Sequence, residues 1–127
     1  MYYCMFIGAL MTTTLDIDYI HKNYDLKPFD RAILYLHQLV IIYMLFGLTL
    51  TTRQETITHL IAALLLIAMW NYHGHCILSL YMENSVNYSK EDYDIIIMEY
   101  PKRRKFHLSF FIPIIAIDVI KLLVLKD

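Results

Sequence analysis

Glycine and proline are scarce in this chain, three of each, so long runs pass without a natural break. Cysteine is scarcer still. The two present, Cys4 and Cys76, each lie in an apolar stretch and form no spaced framework, so neither a disulfide scaffold nor a zinc finger is written here. There is no basic excess. A net charge of -1 removes the electrostatic case for nucleic acid, which needs a clear surplus of Lys and Arg. Charge itself is thin, at 18% of residues, too little for an ordinary soluble domain of this length. Nucleophile elbow, Walker loop, HExxH and dinucleotide fingerprint are all missing. A basic leader and a small-x-small cleavage site are missing too, which argues against a cleaved signal peptide.

What is present is apolar. Of 127 residues 58% are hydrophobic, with eleven tyrosines, seven methionines and six histidines. That bounds the chain to a single all-α membrane domain, and the pattern predicts three spans plus two surface helices. Met1 to Leu15 is apolar but interrupted by Thr12, Thr13 and Thr14, and reads as a membrane-surface or partner-contacting helix in preference to a true span. A solvated linker follows to Asp30, with Pro28 placed at a helix start. The first span runs from 30 to 51, and TTRQET makes a short reversal that predicts an antiparallel neighbour. The second span runs from 57 to 76, with Trp70 and Tyr72 as interfacial markers. Tyr93, Ile96, Ile97 and Tyr100 recur with helical period, which predicts an amphipathic helix over 92–100 that ends at Pro101. The third span runs from 106 to 125, with Pro113 as a kink and Asp118 inside.

Basic residues set the expected orientation. Lys22, Lys27 and Arg31 precede the first span, and Lys102, Arg103, Arg104 and Lys105 precede the third, the latter four also meeting lipid headgroups. This places the N-terminus and the 77–105 loop on the cytoplasmic or equivalent side. A spanning N-terminal segment would move the N-terminus alone.

The stretch from Ile57 to Asn84 is the densest in chemistry. Ionisable residues within a span are costly and turn toward the bundle interior. Depth along the helices pairs them. With midpoints near Ile41, Leu66 and Ile115, His37 lies level with Asn71, whereas His59 shares the outer half with Asp118. His37 and His59 are separated by roughly 16 Å in depth, which disfavours a haem held between them. His73, His75 and Cys76 offer imidazole and thiolate to zinc or copper, with Glu83 or His107 as a fourth ligand; interfacial hydrogen bonding is the plainer reading. His59 beside Asp118 suits a proton relay or, more simply, an interhelical pair, with Lys121 one turn on. No cofactor is expected.

Three segments carry a resemblance. LYLHQLVIIYMLFGL (Leu34 to Leu48), TRQETITHL (Thr52 to Leu60) and CILSLYMEN (Cys76 to Asn84) resemble, in turn, the motifs of a family of small bacterial inner-membrane proteins classed as a domain of unknown function. That family shows Leu-His in its first two spans and a Cys-Pro-Leu-Thr signature leading to Glu-Asn. DIIIMEYP (Asp94 to Pro101) resembles its apolar segment before the last span. Ile77 stands where the family has proline, Ser79 where it has threonine, and Glu83 is one residue further from the cysteine. The resemblance covers about residues 30–125. It implies the topology, and marks His37, His59, Cys76, Ser79, Glu83 and Asn84 as site or packing residues.

The expected function is non-catalytic: a structural or accessory subunit of a larger membrane assembly, such as an organelle complex or a virion membrane. Its expected partners are lipid and other membrane proteins or further copies of itself. The alternative is a small membrane enzyme or a metal- or redox-binding protein built on the His/Cys cluster at the inner end of the second span.

Overall fold

The computed structural model describes residues 2–19, 24–74, 76–86 and 100–125, and the regular structure among them is entirely helical. Five α-helices follow in order: α1 (Tyr2–Tyr19), α2 (Pro28–Phe46), α3 (Arg53–His73), α4 (Ile77–Val86) and α5 (Tyr100–Val124). A single 3-10 turn, Gly47–Thr49, closes α2.

The three threonines do not interrupt α1. Each hydroxyl bonds back into its own helix, Thr12 to Gly8 O at 2.9 Å, Thr13 to Ala9 O at 2.6 Å and Thr14 to Leu10 O at 2.9 Å. With those donors satisfied the helix continues past Leu15 to Tyr19. It buries Met5, Ala9 and Thr13, a stripe of four-residue spacing, against α2 and leaves Tyr3, Phe6, Ile7, Leu10, Met11 and Leu15 exposed. Tyr2 reaches Glu55 at the start of α3, Gly8 faces Ile42, and Ile17 packs with Leu26 and Leu34. The two helices are therefore antiparallel along their length. α1 is a member of the bundle, which corrects the expected surface helix. Its first residues lie at the α2–α3 turn, the end opposite α4.

Proline and an acidic N3 residue start α2. Pro28 occupies the first turn, where its missing N–H costs nothing, and Asp30 Oδ2 accepts the backbone N–H of Lys27 at 2.9 Å. Thr52 starts α3 in the same manner: its hydroxyl accepts from Glu55 N–H at 3.3 Å and donates to Glu55 Oε2 at 2.7 Å. This Thr-x-x-Glu capping box sets the helix start at Arg53, four residues earlier than the expected Ile57.

The expected antiparallel packing of the first two spans does not form. α3 packs closely on α5, and α2 packs closely on α1 and less extensively on α4. The extended Leu50 after the 3-10 turn redirects the chain. Only the end of α2 meets the α3–α5 pair, where Met44 joins Ala63, Phe111 and Ile114 in one core cluster. A second cluster, Leu26, Leu34 and Met82, ties α2 to α4 at the opposite end.

Gly74 ends α3 in the left-handed conformation, φ 74. The stretch from Ile57 to Asn84 is thus two helices, and α4 was not foreseen. Gly74→Ala is expected to cost about 1 kcal/mol, the penalty for a side chain in that conformation. Unfolding in a denaturing detergent titration measures it, and an unchanged midpoint would rule out the left-handed cap.

Residues 92–99 of the predicted 92–100 helix fall outside the described residues. Pro101 does not close it: Tyr100 and Pro101 open α5, where a first-turn proline is tolerated. The helix also runs unbroken through Pro113.

Two segments, Pro28–Thr49 and Arg53–His73, are long and apolar enough to cross a membrane, and 17% of each apolar window is buried. A core helix of a soluble protein would be mostly buried. Polar side chains are buried beside the apolar core, and large apolar ones are exposed. The largest fully buried side chains are Met44, His59, Thr56 and Asp118, whereas Leu65 is 66% exposed and Leu123 is 82% exposed.

Candidate functional site

The polar interior is concentrated where α2 ends. A helix C-terminus leaves carbonyls without partners inside the helix. Here side chains from the α3–α5 pair supply the missing donors. His59 Nε2 lies 3.1 Å from Met44 O, and Lys121 Nζ donates to Gly47 O and Leu48 O, each at 3.3 Å. Cationic groups at this position also oppose the negative end of the helix dipole.

Asp118 completes the arrangement. Its Oδ2 is 2.6 Å from His59 Nδ1, and both side chains are fully buried. Antiparallel packing of α3 on α5 produces this meeting, with Arg53 of α3 at one end of the interface and the Trp70–Phe111 edge contact toward the other. Tyr43 of α2 stands edge-on to the imidazole, 5.3 Å between ring centroids. Gly47 supplies the space. A Cβ there would lie 1.9 Å from both Cδ2 and Nε2 of His59. Arg53 repeats the capping device on α5, donating to the carbonyls of Leu122 and Leu125, each at 3.2 Å.

The structure thus brings His59 to Asp118, and Lys121 to the same station. It does not bring His37 to Asn71. His37 is half-buried on α2 and Asn71 is exposed on α3, on helices that are not close neighbours. Both ring nitrogens of His59 face protein oxygens, Asp118 Oδ2 and Met44 O.

The residues at the other end of α3 are placed separately. His73 is exposed, Cys76 is buried, and His75 lies outside the described residues. Among the described residues no three His, Cys, Asp or Glu side chains gather as a metal site. Asn84 is exposed on α4. Ser79 and Glu83 also lie on α4 and Lys102, Arg103, Arg104 and Lys105 on the first turns of α5; the positions of these six side chains are outside the described set.

Two elements escaped the sequence reading. One is the capping role of Lys121 and Arg53, whose signal was present: each lies near an expected helix end. The other is a clasp on Asp30, whose Oδ1 accepts from Ser85 Oγ at 2.8 Å and Tyr81 OH at 3.3 Å. Nothing in the linear sequence links positions 30, 81 and 85.

What this arrangement can do chemically is satisfy helix ends and hold three helices in register. No family model, no curated protein and no solved structure matches the chain.

Proposed function

We propose that the chain is an integral membrane protein that acts as a non-catalytic structural or accessory subunit of a larger membrane assembly. The observation that carries this reading is the pair of long apolar helices, Pro28–Thr49 and Arg53–His73, with 17% of each apolar window buried. Large apolar side chains thus cover much of the outside, while His59 and Asp118 lie fully buried. Such an outer face suits lipid tails and the flanks of neighbouring membrane helices.

Four helices fit the bilayer in this reading. To α2 and α3 are added α5, whose stretch from Leu108 to Val124 is about 26 Å long, and α1, of similar length and packed along α2. Lys27, Arg31 and the stretch from Lys102 to Lys105 then share the side of α4, assigned to the cytoplasm or its equivalent. The start of α1 and the end of α5 lie on the opposite side in this reading, the placement that a spanning N-terminal segment implies. The resemblance to small bacterial inner-membrane proteins agrees with this topology from residue 30 onward.

Two measurements test the proposal. Extraction in a mild detergent is expected to yield the chain within a reproducible larger complex without a bound chromophore; a lone, stable particle of this chain would refute the subunit role. For the topology, Asp25→Cys and Thr51→Cys are introduced separately into a Cys4→Ser background, Cys76 being buried. A membrane-impermeant maleimide is expected to label residue 25 from the cytoplasmic side and residue 51 from the other. Labelling of both from one side would show that α2 does not cross.

A further inference from the structure

Gln38 stands at the centre of the apolar segment Pro28–Thr49, with about 15 Å of helix on either side of it. It is half-buried, and its amide forms no hydrogen bond with any described residue. A primary amide carries two donor hydrogens and an acceptor oxygen. At the middle of a bilayer neither water nor headgroups are at hand to satisfy them, so such a side chain finds its partner on another helix. Positions seven apart share one stripe of a helix, and the stripe through Gln38 runs from Arg31 to Leu45. Both of those are exposed, Leu45 by 49%, so the ends of this stripe are uncovered by α1, α4 or the α3–α5 pair. The neighbouring His37 lies instead in line with Asp30 and Met44, which are buried, and turns into the bundle.

We propose that a second copy of this chain covers the stripe, and that Gln38 pairs with its own counterpart. The inference rests on the membrane-spanning part of the reading above. Copies inserted in one membrane share an orientation, set by their basic ends, so a two-fold axis relating them runs along the membrane normal. That axis brings each residue level with its counterpart, and Gln38 meets Gln38 at mid-depth. An amide is its own complement. One N–H of each donates to the carbonyl of the other, and both oxygens are satisfied in a reciprocal pair.

The rest of the stripe suits the same contact. Leu45 meets its counterpart about 10 Å further along the helix. Arg31, about 10 Å the other way, extends to the headgroups, where its guanidinium meets lipid phosphate and not its counterpart. A different membrane protein with a polar residue at mid-span would offer the amide similar bonds. Self-pairing needs no such residue from elsewhere, and symmetric contact between identical chains is the commonest form of association.

Energy transfer between donor- and acceptor-labelled copies of the full chain tests this, in vesicles of the purified protein progressively diluted with lipid. The label sits on Thr51→Cys in the Cys4→Ser background. The chain with Gln38 intact is expected to associate, Gln38→Leu to need an about ten-fold higher protein-to-lipid ratio, and Gln38→Asn to fall between. Since the amide holds nothing among the described residues, Gln38→Leu is expected to keep the thermal unfolding of the parent chain. The contact face is read separately by mild oxidation. Leu45→Cys is expected to cross-link between copies, and Leu36→Cys, exposed on the far side of α2, is not. Monomers at every lipid ratio, equal association with and without Gln38, or cross-linking at residue 36 in place of 45 overturns the pairing. Maleimide labelling that shows α2 not to cross removes the membrane reading and the pairing together. Dimers extracted without any other protein refute the subunit role and leave the pairing standing.

Discussion

Gly47→Ala is expected to destabilise this protein by about 4 kcal/mol, although alanine is the better helix former. The reason is space and not conformation. Gly47 has φ -56 and ψ -25, ordinary right-handed helical values that any residue adopts. Its missing Cβ is what matters, since a methyl there would sit 1.9 Å from two ring atoms of His59. The ring cannot retreat freely, because Asp118 and Met44 O hold its two nitrogens and Tyr43 stands against it. Overpacking alone costs about 1–3 kcal/mol, and expelling the imidazole leaves a buried carboxyl group without its partner, worth about 3–5 kcal/mol. These penalties overlap, since relief of the first causes the second. A double-mutant cycle gives the decisive comparison. In a His59→Ala background the clash is gone, and Gly47→Ala should be neutral or stabilising by up to about 1 kcal/mol. Equal costs in both backgrounds would show that the glycine is needed for something other than the histidine.

The sequence made part of this station legible. His59 and Asp118 are polar residues in long apolar runs, and a helical rise of about 1.5 Å per residue is enough to show that they share a depth. The same arithmetic put His37 level with Asn71, and there depth did not suffice. Depth along an axis says nothing about which helices are neighbours. Here α5, not α2, lies beside α3, while α1 and α4 flank α2. The chain changes direction at the three-residue 3-10 turn Gly47–Thr49 and at the left-handed Gly74, both local geometries that an apolar periodicity hides. The threonine run misled for a related reason: Thr12, Thr13 and Thr14 look polar in composition but satisfy themselves within the helix. Helix starts were more readable than partners, and Thr52-x-x-Glu55 would have corrected the boundary of α3 on inspection.

Asp30→Ala is expected to cost about 3 kcal/mol and to release α4. Asp30 is 3% exposed and accepts from three donors: the Lys27 backbone N–H, Tyr81 OH and Ser85 Oγ. Hydrogen bonds to a charged group contribute about 1.5–3 kcal/mol each, but the two hydroxyl donors can turn to water once freed, so the sum overstates the loss. The backbone donor is one of the N-terminal groups of α2 and can be hydrated as well. What cannot be replaced is the bridge between α2 and α4. Apolar contact remains, through Met82 packed with Leu26 and Leu34 and the Phe29–Tyr81 edge contact. Those contacts keep α4 from separating fully and set the expected cost below that of the Gly47 change. Loosening should appear locally before it appears globally. Limited proteolysis is expected to cut within Ile77–Val86 faster in Asp30→Ala than in wild type, with cleavage elsewhere unchanged. Asp30→Asn keeps one oxygen for Tyr81 and Ser85 and should fall between the two. An Asp30→Ala protein with wild-type stability and wild-type cleavage would mean that apolar packing alone holds α4. The carboxylate would then serve only to start α2.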